Sequence, residues 1–447
     1  MIRPDELIVD LFAGGGGASQ GIYQATGRHP DIAVNHDPDA IAVHLRNHPE
    51  TEHHCESVWK IEPVAACAGR PVGLLWASPD CRHFSRAAGG RPKWKAVRSL
   101  PGVVLTWATR VRPRKIVVEN VREMLGWGPL LEDGTPCRAR VGRSFNQWAG
   151  RLRGLGYRVE WRELCGADFG APTIRTRLVI VASLDGSIVW PQATHARLPS
   201  MFERPWRAAA ECIDWSLPCR SIFDRPRPLK DATLRRIAEG IMRYVVNADT
   251  PYIVLAVITG CGGRTGQSPP RAASSPVGTI TTKADQILVT AHTAELRGTG
   301  IARGLNAPLS TITTAGTQQQ IVEADLSPDD LAGAERVAAF LVSYYGQGGR
   351  NQSLERPLGA ITTRDRFALV LVDGVARPIT DIRMRMLAPH ELARAQGFPA
   401  TYDLTDGGRL SKTAEVRLIG NSVCPDMAEA VIRSIFHYHT TEERMVA

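Results

Sequence analysis

Short apolar segments alternate with helix-length mixed segments over residues 7–182, and this alternation constrains the fold more than any other feature of the chain. Helix-length segments lie at Ala18–Ala25, Asp39–Asn47 and Phe145–Leu155. Strands and helices that follow one another in this way are typical of a mostly parallel sheet with helices on both faces, so we predict a Rossmann-like α/β fold. The predicted strands are Leu7–Phe12, Ile32–Asn35, Gly73–Ala77, Lys115–Val118, Arg158–Leu164 and Leu178–Ala182.

A second region begins near Trp190, where Pro, Gly, Thr and Ser become frequent and helical periodicity mostly disappears until Leu387. It contains three copies of a pattern that ends in Ile-Thr-Thr, at 276–282, 308–314 and 357–363. Each copy follows a Gly-rich stretch with arginine, which suits the reading of base edges in a nucleic-acid groove, although a purely structural repeated hairpin is the alternative. A β-like segment follows each copy, at Gln286–Thr290, Gln320–Val322 and Phe367–Val372.

These differences in composition and periodicity predict that the chain has three parts. Residues 1–189 form the α/β domain, 190–382 a smaller β- and loop-rich domain, and 383–447 a segment that returns to complete the first domain. Helices are predicted in the last part at Pro389–Ala395 and Pro425–His437.

The charge of the chain is basic, with 54 Lys and Arg against 45 Asp and Glu, for a net charge of +9. The excess is clustered, because Cys81 to Lys115 and Gly134 to Val159 each contain several basic residues and no acidic one. Basic stretches with interleaved tryptophans favour a nucleic-acid partner, although either stretch could instead be a solvated helix face.

Nine cysteines without a Cys-x-x-Cys pair argue against a disulfide framework and a zinc ribbon. The sequence has no signal-peptide pattern, and no apolar segment approaches the roughly 18 residues that a membrane span needs. We therefore expect a cytoplasmic protein without a membrane partner.

Cys81 lies in the segment 78–85, directly after the apolar segment 73–76. A thiol on a short turn at the end of a buried strand is placed like a nucleophile, and neighbouring Arg82, His83 and Arg86 would stabilise its thiolate. A buried structural cysteine is the alternative interpretation.

A glycine-rich turn follows the first predicted strand, from Asp10 through Gly14 to Gly21. Glycines at the start of a helix let the backbone approach a ligand, although a tight strand–helix connection has the same pattern. Asp37 near the end of the second strand, or one of its neighbours Asn35 and His36, is a candidate for ribose hydroxyls, and Glu56 for an exocyclic amine. Six histidines lie between His29 and His54, but they lack an anchoring cysteine or carboxylate pattern, so we predict no metal site.

Glu119 follows the predicted strand Lys115–Val118. In an open α/β sheet the carboxyl ends of the strands carry the site, so Glu119 and Cys81 are expected in one cleft. A buried carboxylate needs a partner, and Arg175 or Arg177 would supply it; a purely structural ion pair is the alternative.

Six motifs in this order resemble those of cytosine-5 DNA methyltransferases. Local departures are Asp80 before the cysteine, Arg82 after it, Thr173 in place of Gln and Cys424 in place of Pro. The matching segments are Asp10-Leu-Phe-Ala-Gly14, Pro79-Asp-Cys81-Arg-His-Phe84-Ser85, Glu119-Asn120-Val121, Asp168 to Arg177, Arg385 to Pro399 and Gly420-Asn421-Ser422-Val423.

The resemblance implies a methyltransferase fold, S-adenosylmethionine as methyl donor and no metal. It implies that residues 1–189 form the catalytic and S-adenosylmethionine-binding domain and that 190–382 is the target recognition domain. The implied enzyme is a monomer that flips a cytosine out of double-stranded DNA, with a cognate restriction endonuclease as a possible partner. An RNA cytosine methyltransferase and a catalytically inactive DNA-binding protein are the alternatives. The implied catalytic residues are Cys81, Glu119, Arg175 and Arg177, and the implied cofactor-binding residues are Phe12, Ala13, Gly14, Gly16, Asp37, Glu56, Pro79, Asn421 and Ser422.

Overall fold

The structure is a computed structural model that describes residues 1–80, 100–132, 135–214 and 379–437 almost continuously. Between the last two ranges it describes 216–218, 220–223, 225–229, position 357 and separate strand segments.

Seven strands form one mixed sheet in the order β3-β2-β1-β4-β5-β7-β6. β1 to β5 run parallel, and β7 is antiparallel to both of its neighbours. The predicted mostly parallel α/β sheet is therefore confirmed. The strands are β1 Leu7–Leu11, β2 Ile32–Val34, β3 Glu52–His54, β4 Val72–Ala77, β5 Lys115–Asn120, β6 Arg158–Cys165 and β7 Thr176–Ser183.

Helices cover both faces of this sheet. Ile8 and Val9 are adjacent on β1 and fully buried, but they belong to different hydrophobic clusters, because successive strand residues point to opposite faces. Among the described residues, no helix is long and apolar enough to cross a membrane. The helices are α1 Gly17–Thr26, α2 Pro38–Asn47, α3 Pro63–Cys67, α4 Pro101–Arg110, α5 Arg143–Gly154, α6 Pro389–Gln396, α7 Lys412–Asn421 and α8 Pro425–Phe436.

The predicted strands of the first region are all present, with ends that differ by one or two residues. The sequence missed β3, because the peptide Glu-His-His has no apolar residue to signal a strand. It also missed α4, which lies in the basic stretch, and α7, which appeared only as a motif at its C-terminal end.

The chain divides into two compact units. The first comprises Met1–Ile213, Arg356–Asp365 and Ala388–Ala447, and the second Asp214–Glu355 and Arg366–Leu387. Within the first unit, β8 (His195–Ala196) pairs parallel with β9 (Arg204–Pro205). The predicted boundary after residue 382 falls inside a strand, and the assignment of 190–382 to target recognition stays a prediction.

The described part of the second unit is built from antiparallel strands. One sheet has the order β10-β18-β17-β15-β11, with β16 on β15, and another has the order β13-β12-β14. Two of the β-like segments after the repeats are strands here, whereas 320–322 lies outside the described residues. The strands are β10 Arg220–Ser221, β11 Ile253–Val254, β12 Ala256–Gly260, β13 Arg271–Ala272, β14 Gln286–Thr290, β15 Glu335–Ser343, β16 Asn351–Gln352, β17 Phe367–Val375 and β18 Ile379–Met386.

Helix α1 packs directly on α8. The N-terminal and C-terminal parts of the chain are therefore in contact within the first unit. A Cβ atom added at Gly21 of α1 would lie 2.5 Å from the carbonyl oxygen of Pro425 and 2.6 Å from the Cβ of Ala428. The helices approach this closely only because position 21 has no side chain.

We expect Gly21→Ala to lower the free energy of unfolding by about 1–3 kcal/mol, because the added methyl group overpacks the α1–α8 contact. Gly150→Ala is the matched control, since Gly150 lies inside α5 and, beyond the backbone of that helix, no described atom lies within 4 Å of an added Cβ. It should raise the free energy of unfolding by about 0.5–1 kcal/mol through helix propensity. Urea denaturation measures both, and equal effects of the two substitutions would contradict the close contact.

Candidate active site

Four strands of the large sheet end in register at one edge. Leu11 of β1 pairs with Val34 of β2 and with Ala77 of β4, and Ala77 pairs with Val118 of β5. The residues that follow these positions therefore line the same edge. The connection after β4 is fixed there, because the backbone N–H of Ser78 donates to the carbonyl oxygen of Leu11 at 3.2 Å.

The glycine-rich turn between β1 and α1 has an unusual backbone. Phe12, Gly14 and Gly16 all have positive φ angles, of 64°, 55° and 83°. The N–H of Ala13 donates to the carbonyl oxygen of Val34 at 3.2 Å, which holds the turn against β2. A Cβ added at Gly14 would meet a single described atom within 4 Å, the carbonyl oxygen of Phe12 at 3.7 Å. The turn thus has an open side at Gly14, where a ligand could approach the backbone.

Asp37 caps α2 rather than pointing away from the protein. Its Oδ1 accepts from the N–H of Asp39 at 3.1 Å, and its Oδ2 forms an ion pair with Arg417 of α7. Burial alone would raise the pKa of Asp37, but the Arg417 hydrogen bond and charge hold it below its usual value. Both carboxylate oxygens are therefore engaged within the protein, and the contact of Asp37 with ribose stays a prediction.

Two other polar side chains stand at neighbouring strand ends. Glu56 is exposed just after β3, as the prediction of an amine contact requires. His36 is exposed just after β2, one residue before Asp37. The sequence leaves open whether Asp37 or a neighbour contacts the ribose, and Asp37 is chosen there because an acidic side chain is the common choice at this position.

The start of the predicted nucleophile segment lies beside the end of β5. The side-chain amide of Asn120 donates to the carbonyl oxygen of Pro79 at 2.9 Å, and both residues are buried. The indole N–H of Trp76 donates to Ser78 Oγ at 2.9 Å. Cys81 itself, with all of 81–99, lies outside the described residues. Asn120 thus fixes the backbone two residues before the cysteine, a role that the sequence alone did not assign.

Glu119 and Arg177 form a buried ion pair at the end of β5. Arg177 Nε lies 3.0 Å from Glu119 Oε1, and about nine-tenths of each side chain is buried. The antiparallel pairing of Glu119 with Val179 brings the start of β7 to this edge. Arg175 is also buried, and its carbonyl oxygen accepts from the N–H of Gly166 at 3.0 Å. Of the two expected partners, Arg177 is the one that holds the Glu119 carboxylate.

The C-terminal segment lies against the glycine-rich turn. A Cβ added at Gly15 would lie 2.9 Å from Ser422 Oγ, and one at Gly17 would lie 2.1 Å from the carbonyl oxygen of Val423. Ser422 is buried, and its Oγ donates to the carbonyl oxygen of Leu418 at 2.8 Å. Asn421 is exposed at the end of α7. Ser422, a predicted cofactor-binding position, thus adjoins the turn from the far end of the chain, and Asn421 directly precedes it.

A buried hydrogen-bond network lies behind the turn. Ser19 Oγ donates to Asp10 Oδ2 at 2.6 Å and lies 2.8 Å from His44 Nε2, and His44 Nδ1 lies 2.8 Å from His53 Nε2. Burial raises the pKa of Asp10 to about 7, although the Ser19 hydrogen bond lowers it. The predicted absence of a metal site is not tested by these contacts. In the part of the chain that the structure describes, no three or more His, Cys, Asp or Glu side chains are arranged so that they could hold a metal ion.

The fold is shared with solved methyltransferases. A structure of Dnmt2 methyltransferase from S. pombe aligns with a TM-score of 0.50 at 12% identity, over 97% of this chain and 99% of that one. The Entamoeba histolytica methyltransferase EhMeth aligns with a TM-score of 0.50 at 11% identity, again over 97% and 99%. Together with the strand order, these alignments define a Rossmann-like methyltransferase fold.

Sequence comparison identifies the family. The type II methyltransferase M.AgeI of Thalassovita gelatinovora is 28% identical over 195 residues, or 42% of each chain. The type II methyltransferase M1.HphI of Haemophilus parahaemolyticus is 27% identical over 197 residues, or 42% of this chain and 48% of that one. The match thus spans less than half of these relatives. The model of the C-5 cytosine-specific DNA methylase family matches residues 7–207 and 330–437, more than half of the chain, and the chain belongs to that family.

We expect the free energy of unfolding of the wild-type protein, relative to Asp10→Asn, to fall as the pH rises from 4 towards 7. The pKa of Asp10 is about 7 in the folded protein against an ordinary value of 3.8, so between these values the unfolded chain has lost a proton that the folded protein keeps. The stability contribution of this carboxyl is therefore complete below pH 3.8 and is lost by about pH 7.

Chemical denaturation of both proteins at pH 5, 6, 7 and 8 measures this effect. The difference in unfolding free energy should change by up to about 1.4 kcal/mol per pH unit below pH 7 and then level off. Parallel curves for the two proteins across this range would show that Asp10 does not titrate there.

Proposed function

We propose that this protein is a sequence-specific DNA (cytosine-5-)-methyltransferase. It would transfer a methyl group from S-adenosylmethionine to carbon 5 of a cytosine in double-stranded DNA. One observation carries the proposal. In a chain of this family, the Glu119–Arg177 ion pair, the glycine-rich turn and the start of the Cys81 segment stand at the same edge of the sheet.

The residues at this edge fit S-adenosylmethionine. The turn has an open side at Gly14, and the N-terminal end of α1 has no side-chain cap. The exposed Glu56 carboxylate suits an exocyclic amine, and the exposed polar side chain of His36 suits ribose hydroxyls. When it is bound, S-adenosylmethionine supplies an electrophilic methyl group. We propose that Phe12, Ala13, Gly14, Gly16, Glu56, Pro79, Asn421 and Ser422 hold it, with Asp37 or its neighbour His36 at the ribose.

Cys81 would act as the nucleophile. Its thiolate forms a bond to carbon 6 of the cytosine, and the ring electrons then make carbon 5 nucleophilic enough to accept the methyl group. Loss of the proton from carbon 5 expels the thiolate and restores the aromatic base. Because carbon 6 is inaccessible inside a duplex, the cytosine must first be flipped out of the stack.

Glu119 would stabilise the ring during this attack. Its carboxyl group hydrogen-bonds ring nitrogen 3 and the amino group of the base, where charge develops as the thiolate adds. The ion pair with Arg177 at 3.0 Å fixes the direction of the Glu119 carboxylate before the base arrives. Arg175 or Arg177 would also hold the carbonyl oxygen of the base or an adjacent phosphate.

We assign the choice of DNA sequence to residues 190–382, with Arg264, Arg303 and Arg350 of the repeat loops as candidate base-reading side chains. The family supports DNA as the substrate, and relatives named type II methyltransferases support a restriction–modification setting with a possible cognate endonuclease. We further propose that the enzyme acts as a monomer in the cytoplasm.

Covalent trapping tests the proposed nucleophile. DNA that carries 5-fluorocytosine at the target site should form a denaturant-stable adduct with the wild-type protein and S-adenosylmethionine, because fluorine cannot leave as a proton does. Cys81→Ser should form no adduct and should not methylate, while it still binds S-adenosylmethionine.

Two controls accompany this experiment. Cys67→Ala removes another thiol, one that is buried in α3, and should leave the adduct intact. Genomic DNA and cellular RNA, mapped for 5-methylcytosine at base resolution after incubation, supply the target sequence. An adduct that persists in Cys81→Ser, or methylation confined to RNA, would contradict the proposal.

Substitution of Glu119 tests the electrostatic role. We expect Glu119→Gln to lower kcat roughly 100- to 1000-fold, because the amide stabilises the developing charge less well than the carboxyl group, with DNA affinity largely retained. Glu163→Gln is the matched control. Glu163 forms an ion pair with Arg122 at 3.2 Å on the neighbouring part of the sheet, but it is exposed, and its loss should leave kcat unchanged. Near-normal turnover of Glu119→Gln in single-turnover assays would leave Glu119 with a structural role only.

A further inference from the structure

The histidines that the sequence left without a role form a buried cluster behind the glycine-rich turn. His44 and His48 are fully buried, and their ring centroids lie 4.6 Å apart. His29 Nδ1 lies 2.8 Å from His48 Nδ1, and His44 Nδ1 lies 2.8 Å from His53 Nε2. We refer to these four residues as the histidine cluster. Its contacts lead to the turn by two routes, one through Ser19 and one through Tyr402.

The route through Tyr402 ends on the backbone of the turn. The Tyr402 hydroxyl donates to the carbonyl oxygen of Gly15 at 3.0 Å and lies 3.3 Å from His48 Nε2. Because the hydroxyl proton goes to Gly15, His48 Nε2 must carry the proton that it donates to Tyr402. His48 Nδ1 must then accept from His29. In this arrangement His48 donates to the hydroxyl oxygen, which leaves the hydroxyl proton for Gly15.

The position of Tyr402 is fixed from a second side. The next residue, Asp403, exchanges two hydrogen bonds with Asn47 of α2. The Asp403 N–H donates to Asn47 Oδ1, and Asn47 Nδ2 donates to the Asp403 carbonyl oxygen, both at 2.8 Å. The Phe398 ring lies 4.8 Å from the Tyr402 ring, and burial leaves Tyr402 only 9% exposed. The hydroxyl therefore has little freedom to move away from the turn.

The turn is shaped to receive this hydroxyl. A Cβ added at Gly16 would lie 1.9 Å from Tyr402 Oη and 3.2 Å from Tyr402 Cζ. Gly16 also has a φ angle of 83°, which an L side chain rarely adopts. The Tyr402 hydroxyl therefore fills the space that a side chain at position 16 would occupy.

We propose that Tyr402 is a positioning residue for the cofactor-binding turn. It donates to Gly15, occupies the space beside Gly16, and relies on His48 for its orientation. It acts on the methyl donor through the turn and does not itself bind it. This inference rests on the proposed function, since it takes the turn to bind S-adenosylmethionine.

The test compares two tyrosine substitutions that remove the same group. Tyr402→Phe deletes the hydroxyl that holds Gly15. Tyr157→Phe deletes a hydroxyl that is also buried and also donates to a carbonyl oxygen, that of Pro113 at 2.8 Å, before the start of β5 at the opposite edge of the sheet. The two variants should lose similar stability in urea. Only Tyr402→Phe should weaken the binding of S-adenosylmethionine in calorimetry, by roughly 2- to 10-fold, the effect of one hydrogen bond. DNA affinity should change in neither.

A second substitution distinguishes the proposed role of Tyr402 from a general loss of folding. Gly16→Ala should weaken S-adenosylmethionine binding more in the wild-type background than in the Tyr402→Phe background, because the hydroxyl that the new methyl group meets at 1.9 Å is gone. Additive effects of the two substitutions, or equal affinities of Tyr402→Phe, Tyr157→Phe and the wild type, would overturn the inference. A wild-type protein that binds no S-adenosylmethionine would instead overturn the proposed function, and the inference with it.

Discussion

The close approach of the backbone at residues 423–425 to α1 and the glycine-rich turn is the contact on which the rest of the first unit depends. Gly17 and Gly21 leave no room for a Cβ atom against Val423 and Pro425. Because of this contact, a segment more than 400 positions along the chain lies beside the first strand. It also brings α7 to α2, where Arg417 pairs with both Asp37 and Asp39.

The two edges of the large sheet use charge in different ways. At the start of the parallel strands, Lys115 and Arg114 both contact Asp185 at 2.6 Å, and Arg114 also binds Glu6 at 2.6 Å. Burial would raise the pKa of Asp185, but the hydrogen bonds from Lys115 and Arg114 lower it to about 2. These charges neutralise one another and serve stability. At the other edge, Arg177 is the single ion-pair partner of the Glu119 carboxylate among the described residues, which fits the proposed contact of Glu119 with the base.

The glycine-rich turn shows how structural and functional demands share one segment. Gly15, Gly16 and Gly17 all lie against protein atoms of the C-terminal part of the chain, and they serve packing. Gly14 alone among the four has an added Cβ with no close neighbour among the described residues, which fits the proposed approach of a ligand to its backbone. The four glycines therefore have different surroundings, since three pack against protein atoms and one is open.

The sequence by itself determined the α/β alternation, the glycine-rich turn after β1 and the family motifs, because each is local or follows from hydrophobic patterning. It also placed Glu119 at the end of a strand with Arg175 or Arg177 as its partner. It could not choose between them, since that choice depends on the antiparallel register of β7 against β5. It could not detect β3, whose three residues carry no apolar signal.

Only the tertiary structure decided how the polar residues around the turn are used. The contact of Asp37 with a ribose stays a prediction, and the structure adds that both of its carboxylate oxygens also contact protein groups, because α2 begins there and Arg417 lies within reach. The histidines carried no recognisable spacing, because their contacts run between α2, β3 and the segment before β2. Tyr402 carried no signal at all. The Tyr402 hydroxyl and the carbonyl oxygen of Gly15 lie 3.0 Å apart, although the two residues are separated by 387 positions in the sequence. No local sequence pattern encodes such a contact.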